Sequence, residues 1–222
     1  MEVIKKYNKK ILFFIILIFK KLIFMEDENI NVIQDYFNIV LIGDDQVGKT
    51  SVLDRYCNNK FCIMKKKQRP VEIYIKKINI DNRLFKLKLW DTKFTDTYFK
   101  MNKQIYDRAD AIIFNCAIDN KDSLYHIKTW FETLSEKIDI NLKENLILVN
   151  KIDLKEKKIT KEELDKMSEE LNVKYFETSA MEGIGIKGAF EFLILNMIKK
   201  IYKHEGKILE KKEKSENDGC SS

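Results

Sequence analysis

Residues 36–50 read YFNIVLIGDDQVGKT, and this stretch decides the fold. Tyr36–Ile42 is an apolar run of the length of a buried strand. Gly43-Asp44-Asp45-Gln46-Val47-Gly48-Lys49-Thr50 follows at once and matches the pattern G-x-x-x-x-G-K-[ST]. Gly48–Tyr56 then reads as a helix start. A Gly-rich turn between a strand and a helix is the context that makes this pattern a phosphate cradle. Gly48 lets the backbone wrap around phosphate oxygens, and the N–H groups of the loop and helix N-terminus supply fixed positive dipoles. Lys49 would bridge phosphates and the Thr50 hydroxyl would ligate Mg2+. The chain has only seven glycines, and two of them fall on the two required positions. The candidate phosphate contacts are Asp45, Gln46, Val47, Gly48, Lys49, Thr50 and Ser51.

Working outward, Glu72–Ile80 alternates polar and apolar residues, Asp81-Asn82 turns, and Leu84–Leu89 alternates again, which predicts a hairpin. Asp91 follows Trp90 at the end of its second strand and is the candidate second Mg2+ ligand. Thr97–Asp107 is weakly helical. Ala111–Cys116 reads as a buried strand. Asp122–Lys137 carries Leu124, Ile127, Phe131 and Leu134 at helical spacing. Leu146–Val149 is another strand, Thr160–Glu163 a capping box opening a helix to Leu171, and Lys174–Glu177 a short strand. Ile186–Tyr202 closes the domain as a long helix. This alternation predicts an α/β domain over residues 35–203: a mostly parallel six-stranded sheet with helices on both faces, its ligand beyond the carboxyl ends of the strands. Residues 204–222 read as a flexible tail.

The formal charge of +6 is unevenly placed, because residues 1–24 hold six Lys and one Glu. The remainder is nearly neutral, which excludes a broadly basic nucleic-acid-binding surface. Ile11–Phe19 is too short to span a bilayer, which needs about 20 apolar residues. Residues 1–24 are either an interfacial membrane segment or an extension absent from the mature protein, with Met25 the functional start. Cys57, Cys62, Cys116 and Cys220 show no metal-ligand spacing and read as free thiols of a reducing compartment. The only histidines are His126 and His204, which speaks against His-based catalysis or metal binding.

Asn150-Lys151-Ile152-Asp153 follows the strand Leu146–Val149. Here the chain resembles the Ras superfamily of small GTPases, whose N-K-x-D motif reads guanine. The resemblance implies that Asp153 accepts from the two donors of the guanine edge, as an acceptor-only carboxylate is suited to do. It implies that the Lys151 stem packs over the ring. Thr178-Ser179-Ala180 resembles the family's S-A-K motif, with Met181 in place of Lys, so Ser179, Ala180 and Met181 join the site. GDDQVGKTS, LFKLKLWDT, the run Ile118–Leu124 and Trp130 are similar to the Rab branch. The resemblance covers about residues 36–203 and implies GTP/GDP with Mg2+, protein effectors and regulators, a monomer, and work in vesicle traffic at the cytoplasmic face of an intracellular membrane or in the cytosol. It also implies a lipid on Cys220, although this cysteine is single and third from the end.

The switch regions depart from that pattern. Between Val52 and Asp91 there is no Ser or Thr, so no register supplies the family's switch I hydroxyl, whose aligned position holds Gln68. Asp91-Thr-Lys-Phe-Thr-Asp96 stands where the family reads D-T-A-G-Q-E. Phe94 replaces the Gly and Thr95 the Gln that orients the attacking water. No Gly lies between Gly48 and Gly183. Asp45 would set a carboxylate near the γ-phosphate, where like charge repels. The basic run Lys65, Lys66, Lys67 and Arg69 reads as a solvated loop. These departures predict nucleotide binding with weak or absent hydrolysis. The alternatives are a non-cycling scaffold stabilised by nucleotide, and an ATP-using P-loop enzyme, which the N-K-x-D motif disfavours.

Overall fold

Strands buried on both faces read as continuous apolar runs, and β1 (Asp35–Gly43) and β4 (Ala111–Ala117) are such strands. Every residue of β4 is buried. The computed structural model describes residues 35–62, 71–80, 83–92 and 103–218. The remaining strands are β2 (Val71–Ile80), β3 (Arg83–Thr92), β5 (Glu144–Asn150) and β6 (Tyr175–Glu177). They form one six-stranded sheet in the order β2-β3-β1-β4-β5-β6. Only β2 and β3 pair antiparallel, from Val71 opposite Thr92 to Ile80 opposite Arg83. The other pairings are parallel. The chain therefore has the α/β P-loop NTPase fold expected from the loop and the alternation.

Helices cover both faces. On one side, α1 (Lys49–Asn58) and α4 (Ile186–Asp218) meet the residues of β1, β3, β4 and β5 that point that way, among them Leu41, Leu87, Ile113 and Leu148. Tyr56 of α1 stacks on Phe190 of α4 with ring centroids 3.8 Å apart. On the other side, α2 (Lys121–Ser135) and α3 (Lys161–Leu171) cover Val40, Ile42, Phe114 and Ile147, joined by Tyr106 of a helical segment at residues 103–107.

The capping signals operate as the sequence predicts. Thr160 and Glu163 form a reciprocal capping box at the start of α3. Asn120 caps α2 by accepting from the Ser123 N–H. Two boundaries differ from expectation. Strand β3 continues past Asp91 to Thr92, whose buried hydroxyl donates to the Leu41 carbonyl at 2.8 Å. Helix α4 does not stop at Tyr202 but runs to Asp218, so most of the expected irregular tail is helical backbone. Its sequence explains this. Residues 205–218 are rich in Lys and Glu, which favour helix, and contain no Pro. Glu210 and Lys214 also stand at the i, i+4 spacing that supports one. Residues 1–24, the turn at Asp81-Asn82, the run Lys65–Arg69 with Gln68, and Phe94, Thr95 and Cys220 lie outside the described residues.

Candidate functional site

Strand register alone gathers the candidate residues at one edge of the sheet. Leu41 of β1 is level with Asp91 of β3, Gly43 with Asn115 of β4, and Ala117 of β4 with Asn150 of β5. All are near the carboxyl ends of their strands, where an open α/β sheet binds its ligand. The loop 43–50 crosses this edge from β1 into α1.

Two glycines shape the loop. Gly48 is left-handed, with φ 97°, and a Cβ there would lie 2.2 Å from Asn150 Nδ2. A Cβ on Gly43 would lie 2.5 Å from the Asn115 carbonyl oxygen. Between them Asp45 and Gln46 are exposed at the tip, Gln46 with φ 67°, and Val47 is buried. Ser51 lies half-buried in the first turn of α1. The Lys49 side chain folds back along the loop. Its ammonium donates to the carbonyls of Gly43 at 2.6 Å and Asp44 at 2.7 Å, and the residue is almost wholly buried. A buried ammonium needs such partners, and these hold it inside the curve of the loop.

The Thr50 hydroxyl donates to Asp91 Oδ2 at 2.5 Å. Two hard oxygen donors, from α1 and β3, thus meet beside the loop. Burial pushes the Asp91 carboxyl up, while the Thr50 hydrogen bond and the Lys49 charge pull it down. Among the described residues no group of three or more His, Cys, Asp and Glu could hold a metal ion. A hydroxyl and a carboxylate side by side are the kind of oxygen donors that could hold Mg2+, which keeps several waters and shares ligands with phosphate.

Asn150 is the hub. It is buried, and its Nδ2 donates to the Val47 carbonyl at 3.0 Å. Its Oδ1 accepts from the Ala180 N–H at 3.1 Å. One amide side chain thus ties the phosphate loop to the Thr178-Ser179-Ala180 segment after β6. Lys151, in a left-handed conformation with φ 67°, extends its ammonium to both carboxylate oxygens of Asp119 at 3.3 Å. Asp153 Oδ1 accepts from the Ser179 hydroxyl at 2.5 Å. The Ser179 oxygen in turn accepts from the Glu182 N–H. Met181 is half-exposed.

All the sequence candidates within the described residues therefore meet at one edge. Three further contributors were not among the site candidates named from the sequence. Asp119 anchors Lys151. Arg55 donates from Nε to the Ala180 carbonyl and from Nη2 to the Met181 carbonyl, both at 2.8 Å. His126 Nδ1 lies 2.8 Å from Asp44 Oδ2. The only sequence clue to Arg55 is rarity, since the chain has four Arg among 41 basic residues.

A phosphate loop, a paired hydroxyl and carboxylate, and an Asn-Lys-Ile-Asp segment braced against Ser179-Ala180 define a small G-domain of the P-loop class. The Ras family model matches residues 38–200. The chain is similar to Ras-related protein Rab-13 of Bos taurus, 30% identical over 165 residues, 74% of this chain and 81% of that protein. It is similar to Ras-related protein Rab-8 of Diplobatis ommata, 31% identical over 171 residues, 76% of this chain and 81% of that one. It is also similar to Ras-related protein RabZ of Dictyostelium discoideum, 32% identical over 158 residues, 70% of this chain and 69% of that one. The chain belongs to the Ras family, and within it to the Rab-like small GTPases.

Proposed function

We propose that this protein binds GTP or GDP with Mg2+ and acts as a divergent Rab-like protein in vesicle-mediated transport, with hydrolysis weak or absent. The observation that carries the guanine assignment is the Asn150 bridge. It couples the loop that suits phosphates to the Lys151, Asp153 and Ala180 groups that suit the base. Asp153 lies beside Ser179, and Lys151 is steadied by Asp119, so both keep a defined geometry at the edge. The family kinship supports the same ligand.

In this proposal the Lys49 ammonium would neutralise phosphate charge, and the Thr50 and Asp91 oxygens would hold Mg2+, which would supply further positive charge for the phosphates. The loop N–H groups orient the phosphates. The Asp153 carboxylate accepts from the base. Residues 52–91 contain no Ser or Thr to offer the metal a switch I hydroxyl, and Thr95 is too short to orient water as a Gln would. A loop that gains no contact from the third phosphate cannot be shifted by it.

Partners would meet the outer face of the β2–β3 hairpin, where Ile73 and Ile75 of the edge strand and Tyr36 of β1 are exposed. Lysine–aromatic contacts at Lys86–Tyr36 and Lys88–Trp90 lie on this face. Membrane attachment through Cys220 belongs to the same proposal. Among the described residues no helix is long and apolar enough to cross a membrane.

The missing switch residues favour one second reading, a pseudo-GTPase that holds nucleotide as a structural ligand and serves as a scaffold. Competition of labelled GTP tests the ligand class for both. GTP and GDP compete and ATP does not if the assignment is right; effective competition by ATP overturns it.

A further inference from the structure

His126 is one of two histidines in the chain, and its ring sits on the phosphate loop. It projects from the second turn of α2 and meets Asp44, the first residue after β1. Asp44 thereby accepts two bonds, one at its side chain and one at its backbone. Its carboxylate takes the His126 Nδ1 contact at 2.8 Å, and its carbonyl accepts the Lys49 ammonium at 2.7 Å. A carboxylate only accepts, so Nδ1 carries the hydrogen and Nε2 is the atom that gains or loses the second proton. The Trp130 ring, one turn further along α2, lies 5.9 Å from the imidazole by centroids and limits its swing.

We propose that His126 is a positioning residue for the phosphate loop, which holds Asp44 and through it the Lys49 ammonium, and that its protonation tightens the loop and slows release of the bound nucleotide. This rests on the guanine-nucleotide assignment and adds to it a regulator of that site. Histidine is the side chain that ordinarily changes charge between about pH 5 and 8. A charged imidazole makes a stronger, charge-assisted bond to a carboxylate than a neutral one.

Among the described residues, the charged and titratable groups around the pair come from three elements. The loop contributes Asp44, its neighbour Asp45 and Lys49. Helix α2 contributes Asp122, one turn before His126. Strand β4 contributes the buried Cys116 thiol, pushed up to about 12 chiefly by burial, with the Asp44 charge adding to the effect. Asp44 is the partner in direct contact, so proton uptake at His126 strengthens this bond. The side chains are 52% and 25% exposed. Solvent screens such a pair, and the effect is a few-fold rather than orders of magnitude.

The test uses the full chain and has two readouts over about pH 5 to 8. By NMR, the backbone amides of residues 44–49 shift along the His126 titration in the native protein and do not in His126→Asn, which keeps a side-chain donor but cannot titrate. With fluorescent GDP, dissociation from the native protein accelerates about two- to five-fold as pH rises, and the His126→Asn rate is flat over that range. Loop amides that ignore the His126 titration overturn the proposal, as does a His126→Asn variant that keeps the native pH profile of dissociation. Loop amides that follow His126 in a chain that retains no GDP support the positioning role and overturn the guanine assignment instead.

Discussion

Gly48 and Asn150 show how tightly single residues specify this site. The loop requires φ 97° at Gly48, and the Asn150 amide fills the space where a Cβ would stand. Gly48→Ala is therefore expected to lower stability by about 1–3 kcal/mol and to abolish nucleotide retention, checked by denaturant unfolding and by fluorescent-nucleotide titration. Asn150→Ala leaves the Val47 carbonyl and the Ala180 N–H without their partner, and Asp153→Ala removes the acceptor for the base. Each is expected to weaken guanine nucleotide binding by an order of magnitude or more, and unchanged affinity in the same titration would refute the role assigned to it. At this scale the candidate site was legible where it is written in consecutive residues, as in Gly43–Thr50 and Asn150–Asp153. The supporting contacts were not, because Arg55 to Ala180, Lys151 to Asp119 and His126 to Asp44 join positions far apart in the chain. Only the pairing of β1 with β4, β4 with β5 and β5 with β6, and the packing of the helices on them, brings those positions together.

At the scale of elements, two contacts carry distinct predictions. Phe190 is fully buried between α1 and the sheet, stacked on Tyr56. Phe190→Ala is expected to cost about 3–5 kcal/mol, read from the midpoint of urea unfolding, and smaller losses would mean that the α1–α4 contact collapses over the void. Glu163 links α3 to α2 through the Lys121 ammonium at 2.5 Å and caps its own helix at Thr160. The Lys121 bond, then the Thr160 N–H, holds its carboxyl below the usual carboxylate range. A lowered value in the folded state gives stability that is present above the unfolded value and lost as pH falls through the folded one. Glu163→Gln should thus lower the melting temperature at neutral pH and match the native protein in acid, as thermal denaturation at both would show. Apolar runs, alternation and the loop motif located every strand and helix that carries the candidate site. The ends of β3 and α4 escaped it for different reasons. Thr92 is held in β3 by a hydrogen bond to β1, which no local pattern encodes. Helix α4 continues on propensity and i, i+4 charge spacing, through a charged stretch without an apolar stripe.

For the whole molecule, the alternation of strand and helix implied a parallel sheet, and the loop after β1 implied where its ligand binds. The order β2-β3-β1-β4-β5-β6 was not legible, because each strand is apolar enough to sit beside several others. What separates this chain from an ordinary member of its family is global as well. The groups proposed for base and phosphate meet at one edge, while the Thr, Gly and Gln that the family pattern carries in its switches have no counterpart in the sequence. Restoring them with Phe94→Gly and Thr95→Gln together is expected to raise the single-turnover GTP hydrolysis rate; no gain would place the defect elsewhere, as in Asp45 or in the lack of a switch I hydroxyl. The central claim is an assembled guanine site with impaired turnover, and the nucleotide carried by the full chain after purification in Mg2+ buffer tests it most directly. Denaturation followed by chromatography is expected to release GTP in excess of GDP and no adenine nucleotide. A folded protein that releases nothing, or only GDP, would contradict the account.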